Sequence, residues 1–414
     1  MNEKRRLDEM SYDRRPISRR YGKSLVSGHQ TNEFPPFDVR QKRVSNLFIT
    51  QGPQDAVSES LNLQGKMEAL KNITDLLSRT FTSQFVFPVL GHTDPGEPEK
   101  LGQLWRHWLP TDALATFNTG GYYMIEQKSR RLKVIALNTN LWMEKFEDEI
   151  DPGGQWAWLE KHLDTAKQNR ETIYLVGHIA PGFDERHGPQ RITLATRHNT
   201  RYHNMVRKYA GVVAGQFFGH LHSDSFRIIY DQQGSPVSTI FLTPAITPKK
   251  TSSGTNNPAL RLYTFDTDNG QILNYIQYFM NLTSSNQQAE ALWEEEYNFT
   301  RYYGIEEVTP HEMNELAQSF VTQEGIKLFG RYWMANSVHS NVIPTSTKTA
   351  WTNSHFCAIT QLDHADYHDC LQTRASALAA ANSPPTEPSS LATPISHHGT
   401  FALLLLIAGS LVFR

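Results

Sequence analysis

The chain alternates short runs of β-branched and aromatic residues with segments that have helical periodicity. Strands are predicted over 46–50, 84–90, 132–139, 172–177, 212–218, 226–230 and 237–243. Helices are predicted over about 155–169 and 199–210, and around the apolar residues Met67, Leu70, Ile73, Leu76 and Leu77. Alternation of this kind predicts a layered α/β domain, and the close spacing of the later strands favours hairpins or a mixed sheet.

The pattern divides the chain into four parts. We expect an irregular arm over 1–43, a sheet domain over 44–283, a helical subdomain rich in Trp and Tyr over 284–378, and a processing signal over 379–414. The arm is basic and polar without a sustained period, which predicts a solvated, disordered segment, with a basic recognition tail as the alternative. It contains no apolar run of the kind that marks a signal peptide.

Charge and cysteine content exclude several classes of protein. The 414 residues contain 40 basic and 42 acidic side chains, a formal net charge of −2, which argues against bulk binding to nucleic acid. Two cysteines are too few for a multi-cysteine zinc module or a disulfide-stapled small fold. If oxidised, Cys357 and Cys370 would close a short loop and stabilise the fold by about 3 kcal/mol. Two free buried thiols are the alternative.

The C-terminal residues have the order of features that directs attachment of a glycosylphosphatidylinositol (GPI) anchor. Small residues at 379–383 precede a polar, Pro-rich spacer, and an apolar run follows over 401–413. That run is shorter than the ~20 residues of a membrane-spanning helix. We expect attachment at Asn382 or Ser383, with a short tail anchor or an unstructured end as the alternatives.

Three glycosylation sequons fit the same secretory route. They begin at Asn72, Asn281 and Asn298. A GPI signal acts only on a chain that has entered the endoplasmic reticulum, yet the first residues hold no signal peptide. We therefore expect that the native N-terminus differs from the one in this sequence.

Gly-His pairs end three of the predicted strands. The pairs lie in Gly91-His92, Gly177-His178 and Gly219-His220-Leu221-His222. Open α/β sheets bind ligands beyond the carboxyl ends of their strands, glycine allows close backbone approach, and neutral imidazole is a common zinc ligand. This arrangement predicts a metal site. Asn138 and Asn140 end a further strand, where they are either polar groups facing substrate or turn caps.

These motifs resemble the second half of the calcineurin-like metallophosphoesterase pattern. Longer segments are similar to the acid sphingomyelinase-like phosphodiesterases, above all to the GPI-anchored B-type branch, from about residue 84 to 375. The similar segments are 137–141, 215–226, 256–259, 279–283 and 357–371. The resemblance implies a mixed β-sandwich flanked by helices, with a small helical C-terminal subdomain and a disulfide between Cys357 and Cys370.

The resemblance also implies two zinc ions, held by seven ligands from five motifs. His178, His220 and His222 match three of these ligands, the first two on one metal and the third on the other. Where the family has Gly-Asn-His-Asp, this chain has Gly91-His92-Thr93-Asp94. Aligned without a gap, His92 replaces the ligand Asn and Thr93 replaces the catalytic His. With a gap, His92 is the catalytic His and the Asn is missing.

Other family motifs are altered or missing. No Asp-x-His motif follows a hydrophobic strand upstream, so we expect the first strand of the sheet to be absent. Pro53 stands at the Gly-Asp position, and Asp55 bridges two metals only if this loop is spaced differently. Two dications about 4 Å apart repel by several kcal/mol even at high effective dielectric, and neutral imidazoles do not offset that repulsion. We expect at most one Zn²⁺, bound by His92, His178 and His220, with His222 or water as a further ligand.

Three functional hypotheses follow. The first is a zinc-dependent phosphoric diester hydrolase at the cell surface, with an impaired metal site, acting on sphingolipid or nucleotide-type phosphodiesters. The second is a catalytically degenerate member that acts as a surface binding or regulatory protein. The third is a truncated isoform that does not fold stably. The expected partners are a small phosphodiester or lipid headgroup and, through the anchor, the membrane. We expect a monomer that does not bind nucleic acid.

Overall fold

The computed structural model describes residues 44–49, 61–82, 86–127, 131–186, 193–251, 254–340 and 348–382. The predicted arm over 1–43, Asp55, Ser383 and the apolar tail lie outside these residues. Among the helices in the described ranges, none combines the length and apolar character that a membrane span requires.

Strands and helices alternate through the first two thirds of the chain, and helices dominate the remainder. The strands are β1 (Val44–Ile49), β2 (Tyr123–Gln127), β3 (Leu132–Ala136), β4 (Thr172–Val176), β5 (Val213–Phe218), β6 (Ser225–Tyr230), β7 (Pro236–Leu242), β8 (Lys249–Thr251), β9 (Gly254–Asn256), β10 (Ala259–Asp266), β11 (Ile272–Met280) and β12 (Trp293–Asn298). The α-helices are α1 (Leu63–Thr80), α2 (Pro98–Trp105), α3 (Thr111–Gly120), α4 (Gln155–Asn169), α5 (Thr196–Lys208), α6 (Leu282–Gln288), α7 (Phe299–Tyr303), α8 (Pro310–Ser319), α9 (Ile326–Asn336), α10 (Lys348–Thr360) and α11 (His364–Asn382).

Two large sheets organise the fold. One has six strands in the order β2-β3-β4-β5-β7-β6, with β3, β4, β5 and β7 parallel and both edge pairs antiparallel. The other has four antiparallel strands in the order β1-β10-β11-β12, and β8 and β9 form a separate hairpin. The parallel centre is built from short apolar strands such as β3, which is buried along its whole length.

The core lies on both faces of the six-stranded sheet. Phe217 and Phe241 on one face pack against Tyr263 of the four-stranded sheet, which makes the pair of sheets a sandwich. On the other face α4 and α5 contribute apolar side chains such as Leu159 and Tyr202. This confirms the predicted metallophosphoesterase-type α/β fold with a helical C-terminal region.

The C-terminal helices extend the same core. Met313, Phe329 and Ile359 belong to the apolar cluster that also holds the inter-sheet residues. Cys357 on α10 and Cys370 on α11 form the predicted disulfide. The chain between 284 and 378 is not purely helical, however, because β12 adds an edge strand to the four-stranded sheet.

The prediction of a strand over 84–90 is wrong for residues 86–90, which have no regular secondary structure. Pro88 lies within this run and lacks the backbone N–H that a central strand must donate. The carbonyl of Pro88 instead accepts a hydrogen bond of 2.9 Å from the Tyr123 hydroxyl. The run still leads directly into Gly91-His92, so its position beside β2 decides where that histidine lies.

Candidate metal centre

Three histidines from separate segments converge at one edge of the six-stranded sheet. His178 follows β4 by two residues and His220 follows β5 by two residues, and these strands are parallel neighbours. Their carboxyl ends therefore meet at the same edge. His92, from the irregular segment beside β2, completes the group.

Ring nitrogens, rather than carbon edges, face one another in this group. His92 Nδ1 lies 2.9 Å from His178 Nε2, and His220 Nδ1 lies 3.2 Å from the same atom. Each residue offers one ligand atom, and these atoms lie within 4.8 Å of one another. Ligands at about 2.0–2.1 Å from a tetrahedral zinc ion are about 3.3 Å apart, which is close to the two separations of 2.9 and 3.2 Å. In the described part of the chain no other cluster of three histidines, cysteines or carboxylates is as close.

The glycine before His178 is required by its surroundings. A Cβ at Gly177 would lie 2.6 Å from Phe218 Cε1 and 3.1 Å from Thr139 Cγ2. Thr139 Oγ1 accepts the backbone N–H of Ile179 at 2.9 Å, which fixes the chain on the other side of His178. The His178 side chain is consequently buried, whereas His220 is half-buried and His92 is exposed. A ligand would approach from the side of His92.

Hydrogen bonds from within the loop and from other elements hold the segment that carries His92. Asn140 donates through Nδ2 to the carbonyl of Gly91 at 2.9 Å, and Asp94 accepts the Gly91 N–H at 2.7 Å. The Lys66 ammonium on α1 donates to the carbonyl of Thr93 at 2.7 Å. Thr93, which stands at the catalytic histidine position of the ungapped alignment, is thus tied to α1 through its backbone.

Asn138 and Asn140 have different surroundings. Asn138 is buried, donates through Nδ2 to the carbonyl of Gly120 at 2.8 Å and accepts the Asn140 N–H at 3.3 Å. This placement is that of a turn cap. Asn140 is half-buried and bonds to the backbone of Gly91, the residue that precedes His92.

His222 is not a member of the three-histidine group. Both His220 and His222 have positive φ angles, +68° and +57°, a region that residues other than glycine rarely adopt. The backbone therefore turns sharply twice, and the regular alternation that would aim both rings to one side is lost. The carbonyl of His222 accepts a hydrogen bond from Asn256 Nδ2. As a zinc ligand, His222 remains a prediction.

The remaining predicted modification sites lie away from the histidine group in sequence. Asn72 is exposed on α1. The side chains of Asn281 and Asn298 accept backbone N–H groups at the starts of α6 and α7, at 3.1 and 3.3 Å. Asn382 is the last residue of α11.

Beneath the histidine loops lies a set of buried ion pairs that the sequence analysis did not predict. Arg227 pairs with Glu185, and Arg261 pairs with Asp224. Burial alone would raise the pKa of Glu185, but the positive charge of Arg227, assisted by His355, lowers it to about 2. The weak sequence signal for this set was the pattern of polar residues inside apolar strands, such as Arg261 in β10.

Comparison with known proteins identifies the family. The profile for the acid sphingomyelin phosphodiesterase C-terminal region matches residues 235–377. The chain is 33% identical over 347 residues to human cyclic GMP-AMP phosphodiesterase SMPDL3A, which covers 79% of this chain and 75% of the relative. It is 33% identical over 334 residues to human acid sphingomyelinase-like phosphodiesterase 3b, covering 76% and 72%. Bovine sphingomyelin phosphodiesterase is 29% identical over 301 residues, covering 65% of this chain and 45% of the relative.

The two-sheet fold, with two histidines after neighbouring parallel strands and a third beside them, defines a metallophosphoesterase-type protein. Within that class, the chain belongs to the acid sphingomyelinase-like phosphodiesterase family. The resemblance seen in the sequence is thereby confirmed. Membership of this family identifies the chain as a hydrolase by resemblance to the phosphodiesterases named above.

Proposed function

We propose that this chain is a phosphodiesterase that uses a single zinc ion held by His92, His178 and His220. The observation that carries the proposal is the convergence of their three ring nitrogens within 4.8 Å. When bound there, zinc supplies Lewis-acid chemistry and activates a water molecule for attack on phosphorus. No carboxylate belongs to the group as far as the described residues go, so the arrangement favours one dication over two.

The protein would contribute to this chemistry by holding the histidines in place before a ligand binds. His178 is fixed by the close packing of Phe218 and Thr139 around Gly177, and its carbonyl accepts the N–H of Gly219 at 3.0 Å. This bond ties the loop of His178 to the loop of His220, so that two of the three nitrogens are placed before any ligand arrives. His92 is exposed on the open side, so a ligand can reach the group past this residue.

The test is hydrolysis of a chromogenic phosphodiester by metal-stripped protein, with and without added zinc. We expect activity to depend on zinc and to fall at least 100-fold in His220→Ala. His311→Ala is the matched control, because His311 is exposed on α8 and outside the group, and it should retain full activity. Activity that survives His220→Ala, or two tightly bound zinc ions per chain by elemental analysis, would contradict the proposal.

The substrate class that we propose is a phosphodiester of a sphingolipid headgroup or of a nucleotide. The names of the relatives support both, since one is a cyclic GMP-AMP phosphodiesterase and another a sphingomyelin phosphodiesterase. Parallel assays with a cyclic dinucleotide and with a choline phosphodiester lipid distinguish the two. Hydrolysis of neither, by protein that cleaves the chromogenic substrate, would show that the class is different.

We also propose that the chain acts at the cell surface on a GPI anchor attached at Asn382 or Ser383. The small residues at 379–383, the polar spacer and the apolar run over 401–413 support this location. Asn72, exposed on α1, is the sequon best placed to carry glycan. Release of the protein from intact cells by a phosphatidylinositol-specific phospholipase C would support the anchor, and retention of all of it would contradict the anchor.

A second function is favoured by two observations. The imidazole group contains no carboxylate among the described residues, and Thr93 occupies the catalytic histidine position of the ungapped alignment. A chain of this kind could bind zinc and a phosphodiester without turnover, as a surface binding or regulatory protein. Zinc-dependent binding of a non-hydrolysable phosphodiester, together with absent hydrolysis, would select this function over catalysis.

A further inference from the structure

The loop that carries His220 and His222 is held from outside by two asparagine amides. Asn256, at the end of β9, donates through Nδ2 to the carbonyl of His222. Asn336, at the end of α9, donates through Nδ2 to the carbonyl of Asp224 at 2.8 Å. Both asparagines are buried, and the loop between them has two non-glycine residues with positive φ. Backbone in this region persists only when its surroundings hold it.

One guanidinium orients both amides. Arg186 Nη1 donates to Asn256 Oδ1 at 2.6 Å, and Arg186 Nε donates to Asn336 Oδ1 at 2.8 Å. Because arginine is a donor only, each amide must turn its oxygen toward Arg186 and its NH₂ toward the loop. The carboxylate of Glu185, an acceptor only, receives the Asn336 NH₂ at 3.2 Å and enforces the same orientation.

We infer that Arg186 is a positioning residue, which sets the backbone of the His220–His222 loop through Asn256 and Asn336. Arg186 follows His178 along the same connection, so one side chain links the loop after β4, the loop after β5, β9 and the end of α9. The planar fork is essential to this role, because a single ammonium cannot address two amide oxygens in fixed directions. The effect on metal binding rests on the proposed function, whereas the effect on the loop does not.

The direct test is hydrogen–deuterium exchange of the metal-free protein, read on peptides that cover residues 219–225. We expect Arg186→Met to increase exchange there at least 10-fold while β10 and β11 keep wild-type protection. Arg207→Met is the control, because Arg207 donates to the Tyr230 carbonyl at 2.6 Å on the exposed surface. It should leave residues 219–225 unchanged. Wild-type exchange of 219–225 in Arg186→Met would overturn the inference.

Two further variants test whether Arg186 acts through its hydrogen bonds to the asparagines or only through packing. Arg186→Lys keeps the charge but not the fork, and we expect exchange to remain at least 3-fold faster than in the wild type; full restoration would overturn the role of the fork. In a double-mutant cycle with Asn256→Ala, the combined effect should be smaller than the product of the two single effects. Independent, multiplicative effects would show that Arg186 does not act through Asn256.

The consequence for metal binding is read by competition for zinc with a chromophoric chelator. We expect Arg186→Met to weaken zinc binding by about 10-fold, which is the scale typical of residues that orient metal ligands. His220→Ala is measured alongside as the test of the metal site itself. If His220→Ala binds zinc as the wild type does, the proposed function fails while the exchange result still decides the positioning role. A change below 3-fold in Arg186→Met, with His220→Ala inactive in binding, would show that loop position does not set zinc affinity.

Discussion

Two polar clusters differ in how their charges and polar atoms are arranged, although Glu185 follows His178 and Asp224 follows His220 by only a few residues. In the buried ion pairs, Arg227–Glu185 and Arg261–Asp224, each charge meets an opposite charge and further hydrogen bonds. In the histidine group, the ring nitrogens of His92, His178 and His220 face one another.

This difference suggests that the ion pairs stabilise the fold and that the histidines bind a ligand. Opposite charges buried together depend on each other, because removal of one leaves the other as an uncompensated buried charge. Each neutral imidazole has one nitrogen that can accept, and three such nitrogens brought close together can bind one cation. The buried pairs should therefore govern the free energy of unfolding, whereas the histidines should govern ligand binding. The following changes test that division, in order of decreasing expected effect.

Arg261→Met should have the largest effect. It leaves Asp224 buried without its positive partner, and breaking such a pair lowers the free energy of unfolding by about 3–5 kcal/mol. Urea denaturation measures the loss. Arg301→Met is the control, because the Arg301–Glu295 pair is exposed and contributes about 0–1 kcal/mol. Equal losses in the two variants would remove the distinction between buried and exposed pairs.

Removing the disulfide should have the next largest effect. The double substitution Cys357→Ala with Cys370→Ala opens a bridge that spans 13 residues, and the loop-entropy argument gives a loss of about 3 kcal/mol in the free energy of unfolding. Reductant should destabilise the wild type by a similar amount and leave the double variant unchanged. Zinc affinity should not change, and a parallel loss of zinc affinity would contradict the division between the two clusters.

Substitutions in the histidine group should affect the stabilisation by zinc more than the stability of the metal-free protein. Zinc at 100 times its dissociation constant should raise the unfolding free energy of the wild type by about 2.7 kcal/mol. His220→Ala should change the metal-free stability by less than about 1 kcal/mol, because His220 is half-buried, and should abolish the gain with zinc. His311→Ala should keep the gain. A zinc-dependent gain that persists in His220→Ala would place the ion elsewhere.

Acidification should weaken the fold through the buried cluster. Burial lowers the pKa of His355 to about 4, although Glu185 opposes the shift. Between pH 6.5 and 4 the unfolded chain therefore binds the proton more readily, so stability falls as pH falls. The lowered pKa of Glu185 adds a loss between pH 4.5 and 2. In His355→Gln the fall between pH 6.5 and 4 should be shallower, and a slope equal to that of the wild type would contradict this assignment.

The sequence predicts the six-stranded sheet far better than its partner. Apolar runs such as β4 and β5 are short, buried and bounded by glycine, so their positions and the edge shared by His178 and His220 follow from pattern alone. The sequence analysis predicted no strands at β10 and β11. Arg261 and Gln277 are fully buried in these strands. Because polar residues occupy these buried positions, the apolar pattern that identifies a strand is interrupted.

The candidate site was predictable where it depends on local chain geometry and not where it depends on distant contacts. Gly-His pairs predict three imidazoles at strand ends, which the structure brings together. Arg186 bonds to Asn256 and Asn336, 70 and 150 residues away, and no local pattern identifies such partners. The sequence also does not show the positive φ angles at His220 and His222.

The three imidazoles are far apart along the chain: 86 residues separate His92 from His178, and 42 separate His178 from His220. An ion held by all three is therefore a cross-link that closes two long loops. An unfolded or nascent chain cannot offer this site, because closing both loops at once is entropically unfavourable. Loading of the proposed ion would follow assembly of the sheet, so metal occupancy would mark a chain that has finished folding. Scarcity of zinc would then leave folded, empty protein rather than misfolded protein.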